Sequence, residues 1–130
     1  MYRLTSDPLA ALNNRHAEFG DGLIKRLELL FSGGVPGRRF VVELEAQDQE
    51  SQDGWGYVRF EFRGVITLSL TEDHATNVVL SDGVELRLSD GGVVADFSPI
   101  HTDDEPSTFA VTAQEVWVES VAYTPGVMAL

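Results

Sequence analysis

The segment WGYVRFEFRGVITLSL, from Trp55 to Leu70, sets Val58, Phe60 and Phe62 on one side and Tyr57, Arg59, Glu61 and Arg63 on the other. A period of two fits a half-buried strand and not a helix, because successive side chains of an extended backbone point to opposite faces. The same alternation recurs in RFVVELEA, where Phe40, Val42 and Leu44 oppose Val41, Glu43 and Glu45. Gly64 interrupts the longer run, so the strand continues into Val65–Leu70 only through a bend or bulge.

Turn signals divide the rest of the chain into short strands. Ser81-Asp82-Gly83 and Ser89-Asp90-Gly91 each place Asp-Gly between apolar runs, a hairpin signal because tight turns need positive φ. Val78–Leu80, Val84–Leu88 and Val93–Phe97 are therefore expected to form a three-stranded meander. Thr112 and Glu115 have capping-box spacing, which predicts a helical turn over 112–115 before a final strand from about Val116 to Tyr123. Asp21–Phe31 fits both helical and strand spacing; the turn cluster SGGVPG and the strand after it favour a hairpin, hence strand. Near the start, Ser6 or Asp7 can cap a short helix over about 7–14 whose first position is Pro8. The expectation is a mainly β fold, an antiparallel sandwich or curled sheet of about seven to eight strands with one short N-terminal helix. The alternative is an α+β fold with a second helix at 21–31.

At 130 residues the chain has the size of one domain, taken as 1–130 with a loose tail at about 125–130. The hydrophobic content of 43% argues for a folded chain despite a net charge of -12. Residues 1–47 are charge-neutral, so the whole excess of acid lies from Asp48 onward. Such a surface repels nucleic acid and anionic membrane and attracts a basic protein or a cation. With no cysteine, thiolate metal sites, disulfides and cysteine nucleophiles are excluded. No stretch reads as a signal peptide or a membrane span, and a cytoplasmic location is the expectation.

An early His16 in HAEF, Asp21-Gly22 before a Leu/Ile strand, the strand Val58–Val65 and the closing VWVESVAY together resemble small bacterial β-rich domains of unknown function. Some of those families are grouped with the immunity proteins of polymorphic toxin systems. The resemblance implies a fold and a neighbourhood of function, and no catalytic residue.

Motifs for chemistry are sparse. His101, Asp103 and Asp104 are metal-ligand types in one loop, but a site needs three or four convergent ligands, and no metal or cofactor is expected. Asp48, Glu50 and Asp53 in DQESQDGWG offer calcium oxygens, yet an EF-hand register puts Phe60 where the bidentate Glu belongs. His16, Glu18 and Asp21 could pair a base with an orienting carboxylate, but G-x-S-x-G, the P-loop and G-x-G-x-x-G are all absent, and an enzyme is not expected. The leading expectation is a module whose acidic face binds a basic protein partner. Its contacts are assigned to Asp48, Glu50, Asp53, Asp103, Asp104 and Glu105, with Trp55 as an aromatic anchor. A small-molecule module or minor enzyme with a polar, histidine-containing pocket is the alternative.

Overall fold

The computed structural model describes residues 1–71, 79–99 and 107–122. They form β1 (Tyr2–Arg3), α1 (Ser6–Arg15), β2 (Gly22–Leu30), β3 (Arg39–Gln47), β4 (Trp55–Leu70), β5 (Val79–Leu80), β6 (Glu85–Ser89), β7 (Gly92–Asp96) and β8 (Phe109–Ala122). All eight strands belong to one antiparallel sheet in the order β5-β2-β3-β4-β8-β7-β6, with β1 pairing β8 off this path. The mainly β expectation holds, and 21–31 contributes a strand rather than a second helix. Among the described residues no helix is long and apolar enough to cross a membrane.

The two alternating strands are neighbours with Phe40 opposite Phe62, Val42 opposite Phe60 and Leu44 opposite Val58, and this inner face is buried. The long strands then turn a corner. Gly64 takes φ 67, the β4–β8 register shifts between Val65 and Thr67, and the Gly64 and Val65 amides both donate to the Arg38 carbonyl. A bulge with a glycine bends a strand and raises its twist, so β4 and β8 serve both halves of the sheet. Aromatic rings join the halves. Phe97 and Phe109 stack at 4.4 Å, and they meet Phe40, Phe60 and Phe62 at 6.0, 6.4 and 6.1 Å.

The outer face of β1, β2, β3, β4 and β8 is a charge lattice. Across the strands Arg26, Glu43, Arg59 and Glu119 form one row, and Leu30, Arg39, Arg63 and Glu115 another. Ion pairs Arg3–Glu115, Lys25–Glu45, Arg26–Glu43, Arg39–Glu61 and Arg63–Glu61 lace it, and the Arg63 guanidinium lies 4.2 Å from the centre of the Trp117 ring. Opposite charges favour the register of the first row, Glu61 pairs with both of the facing arginines Arg39 and Arg63 of the second, and the cation over the indole adds a further attraction.

Several local expectations are corrected. Residues 112–115 are strand, because Ala110–Ala113 pair with β7 on one side and β4 on the other, and two ladders outweigh a local capping preference. The three-stranded meander does not form. Only β6 and β7 make a hairpin, around Asp90-Gly91, whereas β5 pairs with β2 at the opposite edge. Helix α1 begins at Ser6 with no side-chain cap, so Pro8 is its third residue, where a missing N–H still costs nothing.

Because β5 and β6 lie at opposite edges yet are separated only by residues 81–84, the sheet must curl. Five peptide steps reach at most about 17 Å, whereas seven flat strands would be roughly 29 Å across. The seam is held by backbone hydrogen bonds: the Asp21 and Gly83 amides donate to the Leu80 carbonyl, and Val84 donates to that of Glu18. Gly83 has φ +75, and a Cβ there would lie 2.3 Å from the Glu18 carbonyl oxygen. Gly83→Ala is expected to cost about 2 kcal/mol or more in urea unfolding, since both conformation and space exclude a side chain. Gly91→Ala, with nothing within 4 Å of its Cβ, should change stability by less than about 0.5 kcal/mol. Equal unfolding midpoints for the two variants would contradict the seam.

Candidate functional site

After α1 the chain makes an unusual turn. Ala17, Glu18, Phe19 and Asp21 all have positive φ, between 51 and 64 degrees. Each such non-glycine residue costs on the order of 1 kcal/mol, so the turn persists only because its surroundings hold it. Phe19 is fully buried, at 5.4 Å from the His16 ring and 5.2 Å from that of Phe60, while Glu18 and Asp21 make the seam bonds. Residues 16–21 thus plug the gap between the sheet edges.

His16 ties this plug to two strands. Its Nδ1 lies 2.8 Å from the Gln47 carbonyl and its Nε2 2.9 Å from Ser120 Oγ. A carbonyl only accepts, so Nδ1 carries the proton and Nε2 accepts from the serine hydroxyl. Burial lowers the imidazole pKa below its ordinary 6.5, opposed by the Gln47 bond and the Asp48 charge. Gln47 also donates from its side chain to the Gly20 carbonyl at 2.8 Å.

Beside it Arg15 grips Asp48 through two hydrogen bonds of 2.9 and 3.0 Å and reaches Glu50 at 3.0 Å. Desolvation would raise the Asp48 pKa, but the Arg15 bonds, the Glu50 amide and the Arg15 charge together hold it below the ordinary 3.8. Gly56 makes room for this carboxylate, since a Cβ there would lie 2.5 Å from Asp48 Oδ2.

Two concavities flank the plug. One, of about 310 Å³, is lined among the described residues by Asn13, Glu18, Asp82, Val84, Glu85, Leu86 and Pro99, of which three are acids. Glu85 pairs at the surface with Arg87, and the Oδ1 of Asn13 is buried without a hydrogen-bond partner. The other, of about 240 Å³, is lined by Tyr2, Ala11, Leu12, Arg15, Glu50 and Ser120.

The residues expected to contact a partner do not share one surface role. Asp48 is 1% exposed and its carboxylate is paired with Arg15. Glu50 and Asp53 are exposed and Trp55 is half-buried. Asp103, Asp104 and Glu105, like His101, lie outside the described residues. His16 bonds neither Glu18 nor Asp21, and among the described residues no three metal-ligating side chains converge. Ser120 and Asp82 were not singled out by sequence; Asp82 reads as a turn residue, and Ser120 is distant in sequence from His16. No protein-family model matches the chain, and neither curated proteins nor solved structures give a significant match.

The sign of the His16 shift fixes a pH response. A lowered folded pKa gives stability that is whole above about pH 6.5 and is lost as the pH falls toward the folded value. Wild type should therefore lose stability between about pH 7.5 and 5.5 more steeply than His16→Gln. Parallel profiles would contradict a buried neutral imidazole. Asp48→Ala should cost about 3 kcal/mol by stranding Arg15 and the Glu50 amide, whereas Glu50→Ala should cost under about 1 kcal/mol.

Proposed function

We propose that the chain is a protein-binding module whose acidic cleft at the seam receives basic side chains of a protein partner. Charge segregation carries this reading. The outer lattice uses Arg3, Lys25, Arg26, Arg39, Arg59 and Arg63 against Glu28, Glu43, Glu45, Glu61, Glu115 and Glu119, which balance. All of the net charge of -12 therefore falls on residues outside the lattice. Among the described residues Glu18, Asp82 and Glu85 line one cleft, and Arg87 pairs with Glu85 at its surface. Carboxylates around a concave surface focus field on a cationic side chain and speed its encounter.

Glu50 and Asp53 belong to the loop that follows β3, whose Gln49 amide donates to the Arg15 carbonyl beside the same plug, and Trp55 opens β4 directly after it. They extend the proposed surface, with Trp55 as its apolar anchor, and Asp103, Asp104 and Glu105 are proposed to add charge to it. A small, acidic, cysteine-free domain of this kind suits an immunity-type inhibitor that occludes a basic active surface in the cytoplasm.

A lysine- and arginine-rich peptide serves as probe. In NMR titrations at about 0.1 M salt it should shift the amides of Glu18 and residues 82–86 first, and weaken as salt shortens the Debye length from about 10 Å. The triple variant Glu18→Gln, Asp82→Asn, Glu85→Gln should lose at least tenfold in affinity, about 1.4 kcal/mol. Shifts spread evenly over the surface, or wild-type affinity in the triple variant, would contradict the cleft as the binding site.

A further inference from the structure

Ser120 faces inward on β8, where its hydroxyl meets the His16 ring of the plug. Its hydroxyl donates to the unprotonated Nε2 of His16 at 2.9 Å, and the opposite ring nitrogen is oriented by the Gln47 carbonyl at 2.8 Å. Nucleophile, base and orienting acceptor thus stand in line, the arrangement that activates a hydroxyl. His16 is fully buried, and Ser120 is half-buried and lines the cavity of about 240 Å³. Arg15 and Tyr2 line the same cavity, supplying a guanidinium and a phenol as hydrogen-bond donors. The charges around His16 are Arg15 from α1 and Asp48 and Glu50 from the loop after β3.

We propose that Ser120, with His16 as general base, is an acyl-accepting nucleophile for small esters bound in this cavity. This activity is independent of the acidic cleft. The Ser120 oxygen attacks the ester carbonyl as its proton passes to His16 Nε2, and that proton then leaves with the alcohol as the carbonyl–oxygen bond breaks. Water, deprotonated by His16, attacks the acyl-serine; as the acyl–oxygen bond breaks, that proton passes from His16 to the Ser120 oxygen, so one ester and one water yield one acid and one alcohol and the free serine returns. The depression is small beside the roughly 300–1,000 Å³ typical of drug-sized ligand sites, so a short ester is the probe to use. Arg15 is already matched by Asp48 and Glu50, so the cavity has no surplus cation and favours a neutral ester over an anionic one.

A fluorophosphonate probe tests the assignment with the full chain. The serine oxygen displaces fluoride from phosphorus, and mass spectrometry of the digest should place one adduct on Ser120. Ser120→Ala should abolish it, and His16→Gln should slow labelling by about 100-fold or more, the usual contribution of a general base. The wild-type labelling rate should also fall with pH along a single ionisation below about 6.5, a readout that stands even where His16→Gln does not fold. In a parallel assay p-nitrophenyl acetate should release nitrophenolate in a burst stoichiometric with protein. No adduct under conditions that label a serine hydrolase control, an adduct on another residue, a flat pH profile, or a folded His16→Gln that labels at the wild-type rate would each overturn the proposal.

Discussion

Residues 81–84 carry the chain from one edge of the sheet to the other; two backbone hydrogen bonds fasten that crossing to the turn after α1, and a third closes the crossing on itself. The Leu80 carbonyl accepts from Asp21 and Gly83, and the Glu18 carbonyl accepts from Val84. Without this tie the edges have no reason to approach, and the strained left-handed turn at 17–19 loses what compensates it. With it, the sheet curls, Phe19 enters the aromatic core, and a gap that would expose inner-face side chains is filled. The bulge at Gly64 and the Phe97–Phe109 stack make the same curvature from the other side.

Both concavities inherit their geometry from the tie. The plug carries His16 inward to Gln47 and Ser120 and leaves Glu18 outside, beside Asp82 and Glu85. One concavity therefore has a buried imidazole behind its Ser120 wall, and the other is lined by carboxylates. The Arg15–Asp48 pair separates the two by neutralising charge next to the imidazole, and Gly56 leaves the space that pair needs. The balanced outer lattice completes the arrangement, because it leaves the excess acid to the rest of the surface.

The strands that face one core were legible because their alternation is dictated by burial on a single side, as in Phe40–Leu44 and Val58–Phe62. Pairing partners were not. Asp82-Gly83 is a tight turn whichever strands it joins, and only the curl of the sheet decides that it crosses between edges. Residues 112–115 carry a true capping pattern, yet the ladders on both sides override it. Strand β1 is two residues long, too short for any period. The Ser120–His16 contact spans 104 positions, beyond any local motif, and Asp48 read as a loop acid because nothing near it in sequence announces Arg15 as its partner.

Native-state amide hydrogen exchange reads whether the seam holds as firmly as the sheet it fastens. The amides of Asp21, Gly83 and Val84 should exchange as slowly as those of β3 and β4, through global unfolding, although all three lie outside the strands. Exchange of these three amides at the fast rate of exposed loops, while β3 and β4 stay protected, would contradict it.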